Sequence, residues 1–177
     1  MSKKISEKEL LRKELSEANI ELELEDKGDY VIFTMTINDY PMVVYQRNRH
    51  GGGHSYDPLS KWKEAFHHIY DDELKKLFEE PLEGYVYSDI TRYFKMTKEI
   101  AKSKNKSRDA LNGILLPSVR PDIDNIEKVI YDLFNKIIYI DDGQIIESRT
   151  RKLYSETDKT VAQFKIYKEK YKVKKGK

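Results

Sequence analysis

Two groups of aspartates, Asp122 with Asp124 and Asp141 with Asp142, carry the strongest chemical signal in the sequence. Asp122 and Asp124 are two apart, so in an extended segment both side chains point the same way and can share one ion. Ile126, Val129, Ile130, Leu133 and Phe134 then recur at helical spacing, predicting a helix from Asn125 to Asn135 of about three turns. Asp124 is the expected N-cap, with Glu127 completing a capping box. The run Ile137, Ile138, Tyr139, Ile140 reads as a buried strand ending at Asp141 and Asp142, before a second strand holding Ile145 and Ile146. If the first of these strands lies antiparallel to the segment delivering Asp122, the two acidic groups meet. Asp122, Asp124 and Asp142, with Asp141 as a lesser ligand, would then suit magnesium, or manganese as an alternative, since hard cations prefer oxygen donors.

Simpler uses exist for each residue taken alone. Asp124 can be only a helix cap, and Asp142 before Gly143 only a hairpin turn. A calcium loop of the EF-hand kind does not fit, because its fifth and sixth positions would be Ile126 and Glu127, where an oxygen ligand and glycine are needed.

The pattern Pro121-Asp122-Ile123-Asp124-Asn125, Lys128 one turn on, Asp132, then Asp141-Asp142-Gly143-Gln144-Ile145 and a lysine at 152 resembles the RusA family of Holliday junction resolvases, its phage-type members above all. The segment from Tyr45 to Pro58, with its glycines, resembles the family's early strand and hairpin, and Lys95 to Gly113 its lysine-rich insertion. Asn135-Lys136 departs from the pattern, since many relatives carry Asn-Gly there, and the first 25 or so residues have no clear family counterpart. The resemblance implies a homodimeric, magnesium-dependent endonuclease that nicks branched DNA symmetrically, with Asp122, Asp124 and Asp142 as metal ligands and Lys128 as a further catalytic group. Two metals about 4 Å apart can activate water, orient the phosphate and stabilise the leaving oxygen. Lys128 can offset charge on a phosphate oxygen; its simpler use is an ion pair with Asp124 or Asp132.

The distribution of charge agrees with a nucleic-acid partner. Net charge is only +2, yet 36% of residues are charged, so position matters more than sum. Lys95, Lys98, Lys102, Lys104, Lys106 and Arg108 face one acid, Glu99, just before the aspartates, whereas the stretch from Glu14 to Asp29 is strongly acidic. Arg47, Arg49, Lys98, Lys102, Lys104, Lys106, Arg120 and Lys152 are the expected DNA contacts. The lysines from Lys165 to Lys177, interleaved with Tyr167 and Tyr171, are a solvated tail or a second DNA contact.

Positioning these groups requires an α+β fold. Ser6 with Glu9 suggests a capping box, followed by Leu10, Leu11, Leu15 and Ala18 on one face of an amphipathic N-terminal helix. Strands are expected near Tyr30 to Ile37, Met42 to Tyr45, Gly84 to Phe94 and Val161 to Tyr167, and a long helix from Pro58, through Trp62, Phe66 and Leu74, to a stop before Pro81. His50-Gly51-Gly52-Gly53-His54 reads as a flexible connection. The expected division is an N-terminal helical extension over 1–28, one RusA-like nuclease domain over 29–169 with a small mixed sheet packed by helices, and a basic tail over 170–177. The absence of cysteine excludes disulfides, zinc-thiolate sites and thiol catalysis. With no signal peptide and no apolar run long enough to span a bilayer, a cytoplasmic protein is expected, in the bacterial host if a phage encodes it. A catalytically silent branched-DNA binder and a metal-dependent nuclease on RNA or simple duplex are the alternative functions.

Overall fold

Alternation along two strands fixes which side of the sheet becomes the core. In the computed structural model, which describes residues 7–40, 49–51, 54–56 and 60–170, Val31, Phe33, Met35 and Ile37 of β2 (Tyr30–Asn38) are buried on one face. Thr160, Ala162, Phe164 and Ile166 of β7 (Lys159–Tyr167) join them there, because antiparallel pairing sets Phe33 opposite Phe164 and Met35 opposite Ala162. Two helices cover that face. α2 (Ser60–Leu77) buries Trp62, Ala65, Phe66, Tyr70 and Leu74, and α5 (Ile123–Phe134) buries Ile126, Val129, Ile130, Leu133 and Phe134. Phe134 meets Phe33 edge-on at 5.1 Å and Phe66 at 6.3 Å, so one aromatic cluster joins the sheet to both helices.

The fold is α+β, with a five-stranded mixed sheet in the order β1-β2-β7-β5-β6. β1 is Asn19–Asp26, β5 is Val86–Lys95 and β6 is Ile145–Ser155. The expected N-terminal helix is present as α1 (Glu7–Glu17), packed against α2. The chain then passes directly into β1, so the segment expected to be a helical extension also supplies an edge of the sheet. Ile20, Leu22 and Leu24 of β1 are half-buried while Glu21, Glu23 and Glu25 face outward, and that acidic face concealed the alternation.

β5 and β6 run parallel, and their connection carries α3 (Lys98–Lys102), α4 (Lys104–Leu111) and α5. A parallel pair joined through a helix requires that helix to run back along the sheet. The start and end of α5 therefore lie at opposite ends of the strands.

Two local expectations are corrected. Residues 137–140 form no strand: Ile137 and Ile138 donate to Phe134 O in a turn, and Tyr139 makes only isolated bridges to Leu82 and Asn135. Burial explains the β-branched composition, since Ile138 and Tyr139 are fully enclosed and the Tyr139 hydroxyl donates to Tyr131 O at 2.9 Å. The Tyr139 phenol is pushed well above its usual range by that burial. The histidines flanking the glycine run are likewise not in a loop: β3 (Arg49–Gly51) pairs with β4 (His54–Tyr56). The expected strand at Met42 to Tyr45, Arg47, Pro58 and the C-terminal lysines beyond Lys170 lie outside the described residues.

Lys136, where the resemblance expects glycine, follows the Asn135 cap of α5 with φ of 66°. A left-handed backbone costs a side-chain-bearing residue about 1 kcal/mol or more, partly offset by the larger chain entropy that glycine loses on folding. Lys136→Gly should therefore raise unfolding stability by up to about 1 kcal/mol, read by urea denaturation at constant m. A loss of stability would show that the Lys136 side chain contributes contacts outweighing the strain.

Candidate active site

The first acidic group sits where α5 begins. Asp122 is the N-cap, two residues earlier than expected, and its side chain makes no capping hydrogen bond. Asp124 lies in the first turn, exposed. Glu127 is correspondingly not the capping-box partner of Asp124. It turns toward the sheet, where Oε1 accepts from the Ser148 and Thr150 hydroxyls of β6, each at 2.7 Å. Ser148 also takes a bond from the Tyr131 hydroxyl, itself 2.7 Å from Ser88 Oγ. This polar ladder pins the α5 helix to β5 and β6, and burial raises the Tyr131 phenol despite its two hydroxyl partners.

Lys152 holds the segment in front of Asp122. Its Nζ donates to Val119 O at 2.8 Å and Pro121 O at 3.3 Å, so the ammonium expected to meet DNA supports the backbone that presents the carboxylate. Arg120, between those carbonyls, is exposed and joined to Pro121 by a cis bond.

The second group sits on a single 3-10 turn, Asp142–Gln144, just before β6. Asp141 Oδ1 accepts from Gly143 N at 2.8 Å, so one oxygen of this carboxylate is already used within the turn. A Cβ on Gly143 would come 2.8 Å from that same oxygen, which is why a side chain there would disturb the cap. Asp142 is exposed, its carboxylate not required by the turn.

The two groups do not meet within one chain. Lys152 pairs across the sheet with Arg92, whereas Gln144 bonds to Gly84 just before β5 begins. Ile145 and Lys152 are seven residues apart on β6, about 23 Å at the rise of a strand, and α5 itself is about 18 Å long. Ligand bonds to these ions are only about 2.0–2.6 Å. Among the described residues no three His, Asp or Glu side chains gather at one point. The expected antiparallel approach failed because the segment after α5 is a turn and the strands flanking the crossover are parallel.

The basic groups spread over several elements. Lys98, Lys102 and Lys104 are exposed on α3 and α4, while Lys106 pairs with Glu99 at 2.7 Å and holds the Glu99 carboxyl below its usual range. Lys128 is on the exposed side of α5. Asp132, offered by sequence as its partner, pairs instead with Lys63 of α2 at 2.9 Å. Arg47 lies outside the described residues, as does the side chain of Arg49.

The family model for the RusA endodeoxyribonuclease matches residues 41–165. The chain belongs to the RusA endodeoxyribonuclease family. The RusA match leaves α1, β1 and β2 outside it, so one edge of the sheet lies beyond the shared region. The chain is also 40% identical over 73 residues to the uncharacterized protein YqaN of Bacillus subtilis (strain 168), an alignment spanning 41% of this chain and about half, 51%, of that relative. No helix among the described residues is long and apolar enough to cross a membrane.

Sequence reasoning assigned no role of its own to one residue of this candidate site. Gln144 makes four side-chain hydrogen bonds beside Asp142, and its spacing from Asp141 is that of a capping box.

Proposed function

We propose that this chain is a magnesium-dependent endodeoxyribonuclease that resolves Holliday junctions and related branched DNA as a homodimer, acting in the cytoplasm of a bacterial or phage-infected cell. The observation carrying the reading is a family match that spans both acidic groups, together with carboxylates that the fold leaves available. Asp122, Asp124 and Asp142 offer hard oxygen donors whose carboxylates make no capping hydrogen bond and join no ion pair among the described residues, and this fits a divalent cation. Magnesium, when bound, supplies an activated water and offsets charge on the leaving oxygen.

Asp122 and Asp124 of one protomer with Asp142 of a second copy make the complete set, because one chain holds them at opposite ends of α5. Exposed apolar side chains flank both groups. Ile114, Leu116, Val119 and Ile123 precede or adjoin Asp122, and Ile140 and Ile146 bracket Asp142. A two-fold axis pressing the first patch on the second would bury both patches twice and form two equivalent sites, as symmetric nicking requires. Lys128, one turn beyond Asp124, would contact a phosphate oxygen and stabilise charge developing on it.

Incubating the protein with a four-way junction, linear duplex, single strand and RNA, with and without magnesium, tests the reading. Magnesium-dependent cutting confined to branched DNA supports it. Binding without cutting would leave a silent branch-binding protein, and equal cutting of duplex or RNA would leave a less selective nuclease.

The lysines on α3 and α4 would neutralise phosphates on the path to the site. Replacing Lys98, Lys102, Lys104 and Lys106 with glutamine should weaken junction and duplex binding alike, because backbone contacts carry no base information. Lys106 is already paired with Glu99, so three contacts are expected to go, flattening the slope of log affinity against log salt by about 2.7 at roughly 0.9 each. An unchanged slope would make this face merely solvated and move the DNA path toward Arg47, Arg49 and Arg120.

A further inference from the structure

We infer that Gln144 is a positioning residue that sets the direction of the Asp142 carboxylate by locking its turn onto the start of β5. Its Oε1 accepts from Ile140 N at 2.7 Å and Asp141 N at 2.9 Å, while Nε2 donates to Leu82 O at 2.9 Å and Gly84 O at 2.7 Å. Two N–H groups lie on one side of the amide and two carbonyls on the other, so only one orientation of the amide satisfies all four. Its full capacity of two acceptors and two donors is used. No other side chain of this length offers both pairs: glutamate lacks the donors, methionine lacks all four, and asparagine is one methylene short.

Ile138 and Tyr139 are anchored in the core, and Leu82 N donates to Ile138 O at 3.1 Å, but the residues that follow, Ile140, Asp141 and Asp142, are all exposed. The other side of the brace is firm. A Cβ on Gly84 would lie 2.2 Å from Tyr167 O, so the backbone at Gly84 presses directly on β7, and Gly84 N donates to that same oxygen at 3.1 Å. Gln144 thus transmits the rigidity of the sheet to the turn before β6. A carboxylate that is to ligate an ion together with groups from another element must be held to a fraction of an ångström, and loss of such supporting contacts costs about 10–100-fold in metal affinity or activity.

This inference rests on the nuclease reading, and its test separates the two. Gln144→Glu and Gln144→Met are each compared with the full-length protein in three measurements. Amide hydrogen exchange at Ile140 and Asp141 should quicken at least tenfold in both, with exchange in β5 and β7 unchanged. Affinity for magnesium alone, measured calorimetrically, should fall about 10–100-fold. Single-turnover cleavage of a four-way junction should fall by a similar factor at fixed magnesium, while junction affinity without metal stays at the wild-type value. Unchanged magnesium affinity in a Gln144→Glu protein whose amides at 140 and 141 exchange faster would overturn the inference, since the turn would then be loosened without consequence for the ion. Should Gln144→Met fail to fold, Gln144→Glu keeps the size and both acceptors and decides alone. A wild-type protein that binds magnesium yet cuts no nucleic acid would sink the nuclease reading, and the exchange and calorimetric results would still decide the role of Gln144.

Discussion

Asp122→Asn, Asp124→Asn and Asp142→Asn should each abolish junction cleavage while leaving junction binding near wild type. Asparagine keeps the shape of the side chain and one oxygen but removes the charge that holds a hard cation. The loss should exceed about a hundredfold, the upper end of what removal of a mere supporting contact costs. Folding should be spared for reasons visible at each position. Asn is as good an N-cap as Asp, and Asp122 makes no capping bond in any case, while Asp124 and Asp142 are exposed. Thermal unfolding measured alongside cleavage would verify that. Asp141→Asn supplies the contrast: the amide oxygen can still accept from Gly143 N, and with one oxygen already spent in the turn, the residue is expected to matter less for cutting. Wild-type single-turnover rates in any of the first three at saturating magnesium would remove that residue from the ligand set. A large loss in Asp141→Asn with an intact fold would add Asp141 to it.

What the sequence disclosed depended on whether one residue's neighbours along the chain were also its partners in space. α5 was readable because Ile126, Val129, Ile130, Leu133 and Phe134 all serve one buried stripe, and β2 and β7 because strict alternation serves one buried face. β1 obeys the same rule but lies at the sheet edge, so its outward positions are glutamates and its charge attracted attention before its period. Residues 137–140 mislead in the opposite sense. Their β-branched character reflects enclosure in a turn, and no strand lies beside them to pair with. The site was half-legible for a similar reason. Types and spacing nominate Asp122, Asp124 and Asp142, yet spacing cannot reveal that a parallel β5–β6 pair sends the two groups to opposite ends. The support that Lys152 gives the segment before Asp122 was not legible, because its acceptors, Val119 O and Pro121 O, lie 33 and 31 residues away and are backbone atoms that no side-chain pattern announces.

The separation of the two acidic groups leads to a second large effect, obtained by mixing variants that are dead alone. If Asp122 and Asp124 of one protomer work with Asp142 of its partner, a dimer of Asp122→Asn with Asp142→Asn places both substitutions in one site and leaves the other complete. After subunit exchange at equal concentrations half of the dimers are mixed, and each holds one of two sites, so about a quarter of the wild-type complement of sites returns. Cleavage should recover from undetectable to roughly that fraction. The product should change as well, because a dimer with one working site nicks a junction once where the wild type cuts two strands. Exchange itself is checked by capturing one variant through a tag and detecting the other. A mixture that has demonstrably exchanged but cuts no better than either variant would show that each site is built within one chain, so the turn after α5 would have to travel about 20 Å on binding DNA or metal. Placing Asp122→Asn and Asp124→Asn on separate chains gives the internal control. Both residues belong to the same half of the site, so a mixed dimer of these two variants has no intact site and should remain inactive.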